Sequence, residues 1–172
     1  FSGANMQDVI WAAPGAYSTP SPSSQVVSAY GPDGIQAVFD INRGAKIRDI
    51  TDGTSQTLIM AEYLTGTPED TRGWFWTSQA GCSIIFAWVT PNSSTPDPLH
   101  TSAMCGPNSN QPGMPCFDSD FFPSSATSRS RHPGGVNVVL CDGSVHFISE
   151  SIDVDTWRAM GTIDSGEVVQ LP

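Results

Sequence analysis

The sequence predicts a β-rich α+β domain: an antiparallel sheet ending in an Asp-Gly hairpin, a short C-terminal helix and a long Pro-rich loop. Three observations predict it. Of 172 residues, 16 are Gly and 14 are Pro, and only 14% are charged, well below the usual quarter or so. Two β-prone runs flank Asp142-Gly143, a strong hairpin signal. Asp153 precedes a short run closed by Gly161, the cap and stop of a helix. The length suits one domain spanning 1–172 and is enough to bury a core without obligatory disulfides.

The elements follow in chain order. Residues 1–34 form a Ser/Pro/Gly-rich segment closed by a turn at Asp33-Gly34. Ile35 to Ile41 reads as a short strand. Ile47 and Ile50 suit one helical turn, with Gly53 placed to stop it. Thr57 to Leu64, around Leu58-Ile59-Met60, reads as a buried strand, with a helix as the alternative for so short an apolar run. Gly73 to Trp76 and Ser83 to Val89 read as two more strands, rich in aromatic and β-branched residues. Residues 90–128 are punctuated by seven prolines from Pro91 to Pro123 and show no period, so they form a long ordered loop or a flexible excursion, and the two cysteines inside favour the ordered, stapled loop.

The C-terminal region, 131–170, is the most legible. Val136 to Cys141 and Ser144 to Ser149 form the hairpin strands. With a two-residue loop at Asp142-Gly143, both at positive φ, Leu140 faces Val145, Val139 faces His146 and Val138 faces Phe147. Leu140, Val145, Val138 and Phe147 then share the core face and His146 lies on the other. A helix runs from its cap at Asp153 to Met160, with Ile152 stapled against Trp157.

Charge limits the partners. A formal net charge of -10 repels phosphate backbones and anionic lipid, which argues against nucleic acid and against membrane contact by this segment. It reads as an acidic secreted surface, with divalent cations as compatible ligands. No signal peptide or apolar run of membrane length is present. The chain begins at Phe1 rather than Met, which suggests that an upstream segment has been removed.

The four cysteines, Cys82, Cys105, Cys116 and Cys141, contain no C-x-x-C pair, so a zinc ribbon or thioredoxin motif is absent. An even count in a charge-poor chain points to an oxidising compartment, with buried thiols as the alternative. Four cysteines allow three pairings. Cys105 and Cys116 flank a Pro/Asn-rich decapeptide that closes easily, which leaves Cys82 and Cys141 to join two core strands.

His132, Pro133, Gly134, Gly135 and Asn137, followed by Asp142-Gly143, place nine residues between the His and the Asp. This segment resembles the H-x9-D-G domain of the large planctomycete prepilin-like family, whose function is unassigned. The tail from Ser151 to Thr162 with Gly166 to Val169 resembles that family's ending. So does the block from Ile47 through Asp52-Gly53 to Thr57 and on to Glu62, although the family usually shows Asn where this chain has Gln56. The three blocks cover most of 35–170 outside the loop. The resemblance implies a pilin-like sheet serving as the exposed headpiece of a pilin- or pseudopilin-like subunit, outside the cell, on its surface or in the periplasm. It also implies copies of itself as partners. Members begin with a leader and a long apolar helix, so this chain is expected to be the globular headpiece alone, either processed or truncated.

The motif residues read as structural, and no enzyme is expected. His132 and Asn137 are placed to hydrogen-bond across the Gly134-Gly135 turn. His132 is also a general-base type, and Ser128, Ser130, Asp118 and Asp142 are available to it, but no nucleophile elbow occurs. Asp118 and Asp120 form a D-x-D able to chelate calcium with loop carbonyls. Trp74, Phe75, Trp76, Phe86 and Trp88 read mainly as core, with part of the cluster, Trp74, Trp76 and Trp88, left as contacts for a neighbouring subunit or a sugar. The competing function is therefore a polysaccharide- or solute-binding module. Asn92-Ser93-Ser94 is a formal glycosylation sequon.

Overall fold

The structure, a computed structural model, describes residues 37–40, 43–68, 70–74, 82–83, 85–99, 105–118 and 126–166. The N-terminal segment 1–34, Phe75, Trp76, Asp120 and the end of the tail at 167–170 lie outside the described residues.

The elements are β1 (Phe39–Asp40), β2 (Arg43–Gly44), a 3-10 turn (Ile47–Asp49), β3 (Leu58–Ala61), β4 (Asp97–Leu99), β5 (Cys116–Asp118), β6 (Gly135–Leu140), β7 (Val145–Ser149) and α1 (Val154–Ala159). β1 and β2 form a small antiparallel ribbon, and β3, β6 and β7 form a three-stranded antiparallel sheet in the order β3-β6-β7. The fold is β-rich with one short C-terminal helix among the described residues, as the composition and the hairpin signal predict.

The helix forms as its sequence dictates. The Asp153 carboxylate accepts the backbone N–H of Asp155 and Thr156 at 3.1 and 2.9 Å, satisfying two of the free donors of the first turn. The helix buries Trp157 and is followed by buried Met160. Both join Leu58, Val136, Val138, Leu140 and Ile148 in the core, with Ile152 packed against them.

The hairpin register departs from expectation by one residue. The pairs are Val139 with Val145, Val138 with His146, Asn137 with Phe147 and Val136 with Ile148. Only Gly143 of the turn takes positive φ, at +85°. Asp142 stays out of that region because its carboxylate accepts the Ser144 N–H at 2.9 Å and hydroxyl at 2.6 Å. The loop is therefore three residues, Cys141 to Gly143, with Leu140 N–H bonded to the Ser144 carbonyl and Gly143 N–H to Leu140. That is the type I turn with a left-handed Gly. A slip of one residue turns the whole of β7 over. Val138 and Leu140 are in the core as expected, but Ile148 joins them, and His146 shares that face. Val145 and Phe147 stand outside, 67% and 50% exposed.

Three other expectations are corrected. The helical turn ends at Asp49, and Gly53 opens the next turn instead, its carbonyl accepting from Gln56 N–H and the Thr57 hydroxyl. The described residues of Ser83 to Val89 contain no strand, although Ile85, Phe86 and Ala87 are buried. The Pro-rich stretch 90–128 contains β4 and β5, paired in parallel with Asp97 opposite Cys116.

A buried ionic cluster holds that stretch. Asp97, Asp70, Arg72 and Arg129 are all at most 1% exposed. Arg129 binds Asp97 with two nitrogens at 2.9 and 3.0 Å and donates to the carbonyls of Ser93 and Thr95. Arg72 binds Asp70 at 2.7 Å and the Ser109 carbonyl at 2.6 Å. Two cations and two anions pair within the cluster, so each buried charge meets its opposite.

Candidate functional site

The outer face of the β3-β6-β7 sheet carries Met60, Asn137, Val139, Val145 and Phe147, because residues paired across strands share a face. Just beyond β3 the chain reaches Glu62, whose N–H donates to the Asn137 carbonyl at 3.0 Å. The Glu62 carboxylate returns the contact. One oxygen accepts the Asn137 N–H at 2.8 Å, and the other accepts the Asn137 side-chain amide at 3.1 Å. The second oxygen also lies 3.1 Å from His132 Nε2. Burial alone would raise the Glu62 carboxyl, but the Asn137 bonds and His132 hold it below its usual value.

The turn that delivers His132 is built from local bonds. The Ser130 hydroxyl donates to the Gly135 carbonyl at 2.7 Å and accepts the His132 N–H at 3.1 Å. Gly134 has φ of +83°, a conformation natural to glycine. A Cβ on Gly135 would collide with the Ile148 carbonyl. The His132 ring then sits edge-on to Phe147, with centroids 6.4 Å apart. A hollow of about 410 Å³ lies over this face, lined by Met60, Glu62, Asn137, Val139 and Val145 among others.

His132 and Asn137 are thus brought together on Glu62. The two ends of the motif do not converge: the length of β6 separates His132 from Asp142. Asp142 instead works at the hairpin tip, where its bonds from the Ser144 hydroxyl and N–H lower its carboxyl below the usual range. The Ser144 hydroxyl also lies 3.1 Å from His146 Nε2. Because that hydroxyl donates to Asp142, the order is His-Ser-Asp: the Asp142 carboxylate bonds the serine, whereas in a hydrolytic triad the carboxylate bonds the imidazole. The serines offered to His132 are occupied elsewhere: Ser130 by Gly135, and Ser128 by the Glu62 carbonyl at 2.7 Å.

Asp52 has a bracing role in the other motif block. Its carboxylate accepts the N–H of Ser165 and Gly166 at 2.9 and 2.8 Å and lies 3.3 Å from the Thr162 hydroxyl, tying the turn before β3 to the segment after α1. Asn92, at φ of 56°, does similar work. Its side-chain amide donates to the Gly135 carbonyl at 3.2 Å and Glu150 at 3.4 Å, while its oxygen accepts the Ser130 N–H at 2.8 Å. The nitrogen that a glycan would need is thus committed to holding the turn.

Cys105 and Cys116 form a disulfide. The expected pairing of Cys82 with Cys141 is not formed; both remain thiols. Cys82 packs with Leu99 and Cys116 and donates to the Thr71 hydroxyl at 3.3 Å. Cys141 belongs to the hairpin turn, its N–H bonded to the Thr57 carbonyl. Burial, then the charge of Asp142, pushes the Cys141 thiol up to about 11, and burial also raises Cys82. Neither is primed to react as a thiolate.

Asp118 is exposed on β5, and its D-x-D partner Asp120 lies outside the described residues. Among the described residues no group of three His, Cys, Asp or Glu side chains is placed to hold a metal ion. Of the aromatic residues, Phe86 is buried and Trp88 packs partly buried against the core, where its carbonyl accepts Arg158 at 2.9 Å. Trp74 is half-buried and Trp76 lies outside the described residues. Phe147 stands out from the β3-β6-β7 sheet. Sequence reasoning missed it because it followed the two-residue turn. Glu62 was missed as the acceptor for the motif, and its only signal was its place at the end of the upstream block. No described helix is long and apolar enough to cross a membrane.

A family model described as "Protein of unknown function (DUF1559)" matches residues 7–155. No curated protein and no solved structure matches the chain.

Proposed function

The chain belongs to the DUF1559 family of unknown function, and on that premise we propose that it is a structural surface domain, the extracytoplasmic headpiece of a pilin- or pseudopilin-like subunit that assembles with its own copies. The observation that carries this reading is how the motif residues are employed. Glu62, His132, Asn137 and Asp142 are spent on bracing strands and turns, while Val145 and Phe147 stand exposed on the same sheet. Bracing a rigid sheet that presents apolar side chains suits a contact surface better than a reaction site. The Cys105–Cys116 bridge supports an oxidising location. The resemblance of three sequence blocks to the H-x9-D-G family supports the pilin-like assignment. The reading is non-catalytic, because among the described residues the His132 ring is bonded to Glu62 and the hydroxyls of Ser128 and Ser130 are committed to backbone carbonyls. Immunogold labelling of cells producing the full-length protein tests it: label is expected outside the cytoplasmic membrane and on assembled material, and cytoplasmic label would refute it.

The hollow over the outer face favours one second reading, a solute- or polysaccharide-binding module. Its apolar walls and the Glu62–Asn137 pair would present a flat, half-polar floor to a sugar ring. Titration with oligosaccharides, followed by intrinsic tryptophan fluorescence and by chemical shifts of Val139 and Val145, separates the two. Saturable shifts at those valines support binding, and their absence supports the structural reading.

A further inference from the structure

Among the described residues β7 is an edge strand, bonded to β6 on one side only. The bonds of Glu150 N–H to the Gly134 carbonyl and of Leu140 N–H to the Ser144 carbonyl set the phase of the ladder. Antiparallel pairs alternate between bonded and unbonded, so His146 and Ile148 direct their backbone groups to β6. Val145 and Phe147 direct theirs away from it, to the open edge. Their side chains lie together on the outer face, 67% and 50% exposed. Natural edges are usually blunted by Lys, Pro, a bulge or an inward charge. β7 reads Val-His-Phe-Ile-Ser, with no Lys, Arg, Asp, Glu or Pro.

We infer that β7 is a self-association edge, which pairs antiparallel with β7 of a second copy of this chain about a two-fold axis at His146. In that register Val145 lies opposite Phe147 of the second copy and the reverse, so both outward N–H and C=O pairs on each strand are satisfied. The two three-stranded sheets become one of six. An antiparallel strand pair is self-complementary, as a two-fold contact requires. The chemistry also selects a like partner. Despite a net charge of -10, the strand itself is uncharged, and the apolar pair Val145 and Phe147 is matched by the same pair. In this register Asp142 comes opposite Glu150 of the second copy, so added salt strengthens the contact by screening these like charges. The inference rests on the assembly reading above and names its interface.

Sedimentation of the 172-residue chain over a concentration series, at low and moderate salt, tests it. The expected result is a monomer–dimer equilibrium that shifts toward dimer with salt. Phe147→Lys weakens it by about thirtyfold or more, the scale of an aromatic anchor. Phe147→Pro removes one outward N–H without touching the β6 ladder. It also dissociates the dimer, while Ile47→Lys, at another exposed apolar side chain, leaves it intact. Thermal melts check that the variants fold, and Phe147→Lys carries the test if the proline variant does not. A chain that stays monomeric throughout, or a dimer indifferent to Phe147→Lys, overturns the inference. Native polymers alongside a monomeric domain would overturn this edge contact alone. A dimeric domain with no native polymer would overturn the assembly reading alone.

Discussion

Glu62 and Asn137 are joined three times across the β3-β6 boundary. The Glu62 N–H reaches the Asn137 carbonyl, and the Glu62 carboxylate takes both the backbone N–H and the side-chain amide of Asn137. A reciprocal clasp of this kind fixes the register where β3 leaves the sheet, and the same carboxylate holds the His132 ring against Phe147.

Replacing Glu62 by Ala should destabilise the domain by roughly 1–2 kcal/mol, because a part-buried N–H and amide lose their charged acceptor. The effect stays near the lower end since the side chain is 34% exposed and water can substitute. Urea denaturation at neutral pH measures it. A loss within error of zero would show that the clasp is incidental.

The same carboxylate gives a pH signature. Its folded-state value lies below its ordinary one, so the unfolded chain takes up the proton first as pH falls. The Glu62 contribution is then fully present above the ordinary carboxylate range and is lost as pH drops through the folded value. Glu62→Gln should flatten the acid limb of the stability curve relative to wild type. An unchanged acid limb would contradict the assignment.

Gly135→Ala should cost several times what a surface change does, about 2–4 kcal/mol, since its Cβ would meet the Ile148 carbonyl across the ladder. Gly143→Val should also destabilise, because a β-branched residue resists φ of +85°. Paired melting curves for the two variants against Gly44→Ala, where a Cβ meets open space, check that geometry and not glycine loss is responsible.

Asp97→Ala should be the most damaging single change, about 3–5 kcal/mol, because it leaves Arg129 buried without its carboxylate and weakens the hold on Arg72. Soluble yield and limited proteolysis within 90–128 report it. A variant as protease-resistant as wild type would show that the ionic cluster does not hold that stretch.

Unreduced peptide mapping should find one bridge, Cys105 to Cys116, with Cys82 and Cys141 alkylated only after denaturation. Breaking the bridge by Cys105→Ser should cost about 2–3 kcal/mol, the chain-entropy scale for a loop of this length. A recovered Cys82–Cys141 peptide would contradict the arrangement.

What was legible in the sequence was local. Asp153 announced its helix, Asp142-Gly143 its hairpin, and the Cys105 to Cys116 spacing its bridge, because each rests on a few neighbouring residues. The hairpin register was not legible. Ser144 supplies a hydroxyl and an N–H to Asp142, and these bonds tip the turn from two residues to three; that competition is invisible in an Asp-Gly dipeptide. One residue of slip then moved Phe147 from the core to the surface and Ile148 the other way. The buried Arg72, Asp97 and Arg129 cluster was hidden for a different reason, since its members are tens of residues apart and charge alone suggests exposure. Glu62 stands 70 residues from His132, and only the β3-β6 pairing brings them together.

The most direct test of the account is electron microscopy of the native full-length protein, isolated from the cell envelope without detergent stripping and decorated with an antibody to this domain. The account predicts filaments or ordered assemblies carrying the domain along their outer surface, and their loss or shortening in a Phe147→Lys strain that still exports the protein. Native material found only as dispersed monomers would contradict it.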